Sequence, residues 1–320
     1  MLLFRSLEEI PADFGPSVAT IGNFDGVHRG HQWILDQVKR RARQLDARSV
    51  AVTFEPHPVR VLRPDQSPRL ITPLEVRIDL LRATGVDAVL LLPFTPGLSQ
   101  MTGSEFVGLI LRDALRAIEV HEGENFRFGH RAECCVDDLI AFGKEMGFAV
   151  QIHAPFYVGG IPVSSSRVRE RILAGDMRGA RILLGRPFAV RSTPARGRGI
   201  GSRLTVPTIN LTPYPELLPA VGVYVTCARV GTTSFDAVTN AGNRPTFGED
   251  SFAVESYLLN FEPMDLTEET PLELTFLLRL RDEIRFPSPE ALKSQILRDV
   301  RRAGRYFHLE KRLSAASNRR

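Results

Sequence analysis

The sequence lacks long hydrophobic runs and is poor in cysteine. No apolar stretch in its 320 residues approaches the roughly 18 to 20 residues that a helix needs to span a bilayer. The three cysteines, Cys134, Cys135 and Cys227, are an odd set without the CxxC spacing of zinc sites. We therefore expect neither a membrane-spanning segment nor a disulfide framework, and we expect reduced thiols.

The first residues, MLLFRSLEEIPADFG, have no basic segment followed by an apolar core, so we do not expect a signal peptide. This predicts a cytoplasmic protein that binds no membrane. The chain contains no internal repeat and no low-complexity segment, so its two halves are expected to be different modules.

A large excess of charge of one sign is absent as well, since 41 basic and 37 acidic side chains give a net charge of +4. This modest excess suits polyanionic ligands without requiring nucleic acid. The basic runs at 39–43 and 298–302 are interpreted as solvated helix faces, and an RNA-binding patch is the alternative. The strands of the second half have no clustered Lys and Arg with interleaved aromatics, so a nucleic-acid partner is not expected.

The first half alternates short apolar strands with helical stretches, beginning SVATIGNF, HQWILDQVKRRARQL and SVAVTFE. The series extends to about five parallel strands, and Thr102 with Glu105 forms a predicted capping box within it. Two helical segments, ended by Gly175 and Gly185, close this half. We predict a doubly wound α/β domain over residues 1–185.

The second half changes to short strands separated by Pro, Gly and Asn, such as GVYVTCARV, SFDAVTNAG and LELTFLLRLR. Strands without intervening helices favour a closed antiparallel β-barrel, because open sheet edges invite pairing between molecules. A C-terminal helix is predicted to start at Ser288, with Pro289 in its first turn, and to end at about Tyr306. Residues 313–320 are assigned to a tail outside the domains, of which SAASNRR at 314–320 is predicted to be frayed.

The strongest motif is TIGNFDGVHRGHQ at 20–32, in which a strand ends in a glycine-rich turn and a helix begins near His31. Backbone N–H groups and the positive end of a helix favour phosphate at such a turn. His28 and His31 are predicted to donate hydrogen bonds to a triphosphate, and Gly30 lets the backbone come close. Metal ligation by the pair, or histidines without a functional role, are the alternatives.

A second candidate segment, VSSSRVRER at 163–171, opens a helix after the fifth strand. Ser164 and Ser165 can cap this helix and face an anion, and Arg169 would then reach inward. The alternative is an ordinary helix cap followed by a solvated basic face. Ligands of doubly wound sheets bind at the carboxyl ends of strands near the switch point, where both segments are expected.

Together, GNFDGVHRGH, VSSSRVRE, TFEPHP and GENFRFG resemble the bacterial bifunctional riboflavin kinase/FAD synthetase family over nearly the whole chain. The resemblance implies a Rossmann-like nucleotidyltransferase domain over 1–185 and a flavokinase-like barrel over 186–312. It also implies roles for individual residues. His28, His31, Ser164, Ser165 and Arg169 would hold the ATP phosphates, Gly22, Asn23 and Phe24 would form the floor of the nucleotide site, and Pro56, Pro58, Asn125 and Phe128 would border the flavin.

In the second half, GRGIGSRLTVPTINL at 197–211 resembles the glycine loop of the family, with Gly197 and Gly201, followed by its PTxN motif. The resemblance implies that Thr208 ligates Mg²⁺ and that Asn210 contacts ATP phosphate or the metal. Glu255 matches the glutamate that takes the proton from the riboflavin 5′-hydroxyl. From the residues alone, barrel turns and a solvent-facing strand carboxylate are the alternatives.

The implied reactions are phosphorylation of riboflavin to FMN, with ADP as the second product, and adenylylation of FMN to FAD with release of pyrophosphate. A second interpretation is an FMN adenylyltransferase whose barrel binds flavin but has no kinase activity. It follows from Thr205 and the DLTEE segment at 265–269, which depart from the family's LGFPTAN and DLYG patterns.

Overall fold

The computed structural model describes residues 1–195, 208–243, 252–261 and 267–317. The chain divides into two compact units, Met1–Ser165 and Ser166–Arg320. No helix within the described residues combines the length and the hydropathy that crossing a membrane requires.

The first unit is built on a parallel sheet. Its strands are β1 (Leu2–Phe4), β2 (Ser17–Ile21), β3 (Arg48–Glu55), β4 (Ala88–Pro93), β5 (Ala117–Gly123) and β6 (Ala149–His153). The order across the sheet is β1-β4-β3-β2-β5-β6, so the winding reverses between β2 and β5. The predicted doubly wound sheet is confirmed, with β1 as an additional edge strand, and its switch point lies between β2 and β5. A short hairpin, β7 (Tyr157–Val158) and β8 (Ile161–Pro162), follows β6.

Helices of the first unit cover both faces of this sheet. They are α1 (Arg29–Gln44), α2 (Pro58–Leu62), α3 (Leu74–Thr84), α4 (Pro96–Gln100), α5 (Gly103–Phe106) and α6 (Val136–Met146), with a π-helix at Val107–Ala114 and 3₁₀ turns at Pro64–Gln66 and His130–Ala132. The predicted capping box of Thr102 and Glu105 begins α5. One apolar cluster contains Val52 and another its neighbour Ala51, as expected for a strand buried on both sides.

The described residues of the second unit form an antiparallel sheet and three helices. Its elements are α7 (Ser165–Leu173), α8 (Met177–Leu184), β9 (Phe188–Ser192), β10 (Pro194–Ala195), β11 (Thr208–Leu211), β12 (Gly222–Val230), β13 (Thr233–Asn243), β14 (Phe252–Leu258), β15 (Leu272–Arg281) and α9 (Pro289–Ser317). Among the described residues the strand order is β10-β11-β14-β13-β12-β15-β9. Only Thr193 separates β9 from β10, which pair with opposite edges of the sheet. One bent segment therefore closes the sheet, and the predicted barrel is confirmed.

The barrel interior holds a chain of hydroxyl groups as well as apolar side chains. Thr239 Oγ1 lies 2.6 Å from Thr226 Oγ1 and 2.7 Å from Ser256 Oγ, and all three side chains are fully buried. These bonds join three adjacent strands, β12, β13 and β14. Because a buried hydroxyl without a partner costs about 1 to 3 kcal/mol, the chain favours this strand register over a slipped one.

Helix α9 packs on the outside of the barrel. Ala303 and Phe307 contact an apolar cluster that contains Val223 and Val238. The helix continues to Ser317, so the predicted end near Tyr306 was wrong. The residues beyond Tyr306 include Leu, Glu, Lys and Arg, which are good helix formers, and no proline interrupts them.

Helices α7 and α8 pack with the barrel residues of the second unit. Ala220 N donates to Ile172 O at 3.3 Å, and a Cβ placed on Gly175 would lie 2.7 Å from Cδ of Arg279. The compact units therefore divide before these helices, at Ser165. The domain limits of 1–185 and 186–312 stay a prediction.

Candidate active sites

The turn that follows β2, residues 22–28, is held by a buried carboxylate. Asp25 is 2% exposed, and its side chain accepts hydrogen bonds from Ile71 N at 2.9 Å and Thr72 N at 3.0 Å. Gly26 N donates to Thr72 Oγ1 at 2.9 Å. These contacts tie the turn to the segment before α3, although the two are far apart in the sequence.

The backbone of this turn is strained at two non-glycine residues. Phe24 has φ +48° and Val27 has φ +37°, in the left-handed region that such side chains rarely adopt. Strain of this kind costs about 1 to 3 kcal/mol and persists where surrounding contacts hold the conformation. The bonds of Asp25 supply those contacts, so the turn is preorganised by the rest of the unit.

A buried arginine also fixes the turn. Arg77 is fully buried, and its guanidinium donates to Asn23 O at 3.1 Å, Phe54 O at 3.0 Å and Glu55 Oε2 at 2.6 Å. Glu55 ends β3 and directly precedes Pro56, which was predicted to border a flavin. Arg77 thus links the predicted nucleotide segment to the predicted flavin segment.

His28 and His31 lie together at the N-terminus of α1. The helix begins at Arg29, two residues before the predicted start, because His28 is its N-cap and His28 Nδ1 accepts from His31 N at 3.3 Å. In the neutral His28 ring the proton therefore lies on Nε2. The two rings stack with centroids 3.6 Å apart and an interplanar angle of 17°, and the edge of His31 meets Phe24.

The surroundings of the His31 imidazole favour its neutral form. Burial, and secondarily the neighbouring charge of His28, lower the pKa of His31 well below its usual value. Among the described residues its buried Nδ1 has no hydrogen-bond partner. A buried polar atom without a hydrogen-bond partner destabilises the folded state unless a ligand or a water molecule supplies the partner.

The structure brings the start of the second motif to this turn. Ser165 Oγ donates to Asp25 O at 2.9 Å. A Cβ placed on Gly30 would lie 3.5 Å from Val163 O, so the chain before α7 runs close to the first turn of α1. Ser164 is exposed. Ser165, at the start of the second motif, therefore lies beside the turn, and the contact of Ser164 and Ser165 with an anion stays a prediction.

Arg169 lies further along α7, in the second unit, and its side chain is half-buried. Its action on a triphosphate stays a prediction.

The residues predicted to border a flavin follow the carboxyl ends of β3 and β5. Pro56 and Asn125 are exposed, and Pro58 is half-buried in the first turn of α2. Phe128 is 7% exposed and stacks on Phe126 with centroids 5.3 Å apart. Phe128 therefore belongs to the apolar core that also contains Phe54. Its contact with a flavin stays a prediction.

The register of the barrel strands brings the predicted kinase residues together. Asn210 of β11 lies directly opposite Glu255 of β14, and Asn240 of β13 lies opposite Glu255 on its other side. Side chains directly opposite one another share a face, and so do residues two apart such as Thr208 and Asn210. Asn210 is 7% exposed and Glu255 is half-buried. Gly197, Gly201, Thr205 and residues 265–266 lie outside the described residues.

A second carboxylate, that of Glu283, lies beside Asn240. Asn240 Nδ2 donates to Glu283 Oε1 at 3.2 Å, and the Glu283 carboxyl lies over Gly242, where a Cβ would come within 2.5 Å of it. Glu283 is exposed. It follows β15 in a polar segment without a recognised motif, and so the sequence analysis did not select it.

Comparisons with known proteins match both units. A family profile described as FAD synthetase matches residues 10–167, and one described as riboflavin kinase matches residues 184–307. The bifunctional riboflavin kinase/FMN adenylyltransferase of Pseudomonas fluorescens is 37% identical over 94% of this chain and 96% of its own length. The chain belongs to this family. The family member of Escherichia coli (strain K12) is 33% identical over 92% of this chain and 94% of its own length.

A solved structure also has this fold. The crystal structure described as a macrolide-efflux protein from Streptococcus pneumoniae aligns with a TM-score of 0.84 and 27% identity, over 94% of this chain and 97% of that one. The predicted membership of the riboflavin kinase/FMN adenylyltransferase family is confirmed, and both of the family's enzymatic domains are present.

Proposed function

We propose that this chain phosphorylates riboflavin to FMN on its barrel and adenylylates FMN to FAD on its first unit, with ATP as co-substrate in both reactions. The observation that carries the kinase assignment is the strand register, which sets Asn210 directly opposite Glu255 with Thr208 on the same face. The products besides the flavins are ADP and pyrophosphate. A location in the cytoplasm, without nucleic-acid or membrane partners, belongs to the same proposal.

Adenylyl transfer needs alignment and charge stabilisation rather than a covalent intermediate. The FMN phosphate is itself a nucleophile that attacks the α-phosphorus of ATP and displaces pyrophosphate. His28 and His31, at the positive end of α1, donate hydrogen bonds to the charge that develops on the leaving group. Ser164, Ser165 and Arg169 hold the same phosphates, and Gly22, Asn23 and Phe24 form the floor of the nucleotide site.

The preorganised turn is what makes such alignment effective. Holding two reactants in line avoids much of the entropic cost of a bimolecular step. Asp25 and Arg77 contribute indirectly, because they fix the turn from which His28 projects. The flavin would lie along Pro56, Pro58, Asn125 and Phe128, beside the same edge of the sheet.

Riboflavin phosphorylation requires a group that orients the 5′-hydroxyl and accepts its proton. Glu255 does this as the general base, and Asn210 contacts the ATP phosphates from the neighbouring strand. Gly197 and Gly201 would contribute backbone contacts to the ATP phosphates.

The donor atoms of the barrel suit Mg²⁺. The Thr208 hydroxyl and the Asn210 amide oxygen are hard ligands on one face of the sheet, and a magnesium ion that keeps several waters binds few protein groups. No group of three or more His, Cys, Asp or Glu residues that could hold a metal occurs in the described part of the chain. When bound by Thr208 and Asn210, Mg²⁺ would neutralise charge on the phosphates.

Incubation of the full chain with riboflavin, ATP and MgCl₂, followed by chromatography, tests the assignment. We expect FMN to appear first and FAD to follow, with both lost when EDTA removes the metal. FAD formed from supplied FMN, with no FMN formed from riboflavin, would restrict the function to adenylyl transfer. Absence of both products would refute the proposal.

The variant Gly30→Ala tests whether the position of the His28 ring affects FAD synthesis, without lowering the stability of α1. A Cβ on Gly30 would lie 3.2 Å from Cε1 and Nδ1 of His28, so the ring must shift by a few tenths of an ångström. We expect FAD synthesis from FMN to fall by about 10-fold, since small misplacements of catalytic donors are costly. Alanine favours a helix over glycine by about 1 kcal/mol, so the melting temperature should not fall. Unchanged FAD synthesis would show that the ring position does not matter.

A further inference from the structure

The strands β2 and β5 separate just before the predicted nucleotide turn. Their pairing ends at Ala19 and Val120, two residues before β2 ends at Ile21. The Ile21 N–H is bonded instead to a side chain, Glu122 Oε1 of β5, at 2.6 Å. Glu122 is 3% exposed, and its carboxyl is also hydrogen-bonded to the Thr20 side chain. A carboxyl group thus occupies the gap between the two strands.

This gap is the switch point of the doubly wound sheet, where ligands of such folds bind. Gly22 follows Ile21 directly and begins the turn that carries His28. A charge on Glu122 would therefore act electrostatically on an anion bound at the turn.

The surroundings of Glu122 favour its neutral form. The groups bonded to it, the Ile21 N–H and the Thr20 hydroxyl, carry no charge, and burial raises the pKa of Glu122 well above its usual value. Ionisable groups of β5, β6, α1 and the turn have hydrogen-bond partners other than Glu122. Glu119 bonds Arg41 and His121, His121 also bonds His153, Asp25 bonds Ile71 and Thr72, and His28 bonds and stacks on His31.

We propose that Glu122 is a positioning residue that works in its protonated form, holding the end of β2 for ATP binding, and that its ionisation weakens ATP binding. The proposal rests on the proposed adenylyltransferase function. The neutral carboxyl accepts from Ile21 N without placing a negative charge beside two phosphate-bearing substrates. For a separation of about 10 Å and an effective dielectric constant of about 20, a unit charge weakens binding of an anion by roughly 10-fold.

The test is the KM for ATP in FAD synthesis from FMN, measured from pH 6 to 9.5 for the parent chain, Glu122→Gln and Glu122→Leu. In the parent, KM should rise by roughly 10-fold toward alkaline pH while kcat changes little. Glu122→Gln keeps the acceptor oxygen without a titratable proton, so its KM should match the parent at pH 6 and stay flat. Glu122→Leu has no acceptor and should have a raised KM at every pH. A rise in Glu122→Gln parallel to the parent, or equal impairment of the two variants, would overturn the proposal.

Urea unfolding provides a readout that does not depend on activity. A carboxyl whose pKa is raised by folding binds its proton more tightly in the folded state. Its contribution to stability is fully present below the unfolded pKa and is lost as pH rises toward the folded value. The parent should therefore lose stability relative to Glu122→Gln as pH rises above 4.5, the ordinary pKa of a glutamate. Parallel midpoints would show that Glu122 is not held neutral. A parent chain that makes no FAD would refute the proposed adenylyltransferase function. The unfolding measurements would still show whether Glu122 is protonated in the folded protein.

Discussion

Glu255→Gln is expected to lower the rate of riboflavin phosphorylation by about 10²- to 10⁴-fold, the usual contribution of a general base. A primary hydroxyl is a poor nucleophile at neutral pH, and in a loose transition state the carboxylate orients it and accepts its proton late. Glutamine keeps the size of the side chain and its place opposite Asn210 but cannot take the proton. The measurement is the steady-state rate of FMN formation from riboflavin and ATP, with KM and kcat determined separately.

Two controls separate the role of Glu255 from that of carboxylates in general. Glu283→Gln changes the nearby carboxylate that Asn240 contacts, and Glu273→Gln changes a carboxylate on β15 that pairs with Arg191 and Arg229. Both should phosphorylate riboflavin within a few-fold of the parent. If Glu283→Gln loses the activity while Glu255→Gln keeps it, the general base is Glu283 and not Glu255.

The same preparations should form FAD from supplied FMN at the parent rate, because the predicted adenylyltransferase residues His28 and His31 are unchanged. A parallel loss of both activities in Glu255→Gln, with a lower melting temperature, would indicate a folding defect instead. Should the parent itself form no FMN, the departures at Thr205 and 265–269 would have removed the kinase activity.

The elements that the sequence predicts well are those with a strong local period. The limits of β12 and β15 coincide with the segments GVYVTCARV and LELTFLLRLR, because both are long and rich in β-branched or apolar residues. β1, β9 and β10 were missed. They are strands of two to five residues, too short to establish an alternating pattern.

Contacts within the candidate site are harder to predict, since they join distant parts of the chain. Asp25 bonds Ile71 across 46 residues, Arg77 bonds Asn23 across 54, and Glu122 bonds Ile21 across 101. In each pair one residue, namely Ile71, Arg77 or Glu122, lies outside any recognised motif. Only the folded sheet shows that they support one turn.

The predicted kinase residues could be identified from the sequence, but their position opposite one another could not. Asn210 and Glu255 were predicted from separate motifs, and each motif alone has a structural explanation as a barrel turn or a strand carboxylate. Their direct opposition depends on the pairing of β11 with β14, which no local pattern specifies. The residue types were therefore predictable, and their arrangement was not.

His28→Ala is expected to lower FAD synthesis from FMN by about 10²-fold or more, the usual loss when one preorganised donor to developing charge is removed. The substitution also deletes the cap of α1, because His28 Nδ1 accepts from His31 N. Loss of an N-cap costs about 0.5 to 2 kcal/mol of stability, which must be separated from the loss of catalysis.

His28→Asn makes that separation. Asparagine is among the best N-cap residues, and its side-chain oxygen can accept the His31 N–H, but it is too short to reach as far as the Nε2 of histidine. The variant should have the melting temperature of the parent and should still synthesise FAD at least about 10²-fold more slowly. Riboflavin phosphorylation, measured on the same preparation, should be nearly unchanged in both variants. Recovery of FAD synthesis in His28→Asn would instead assign His28 to capping α1, leaving the enclosed Nδ1 of His31 as the group whose missing partner still requires a ligand.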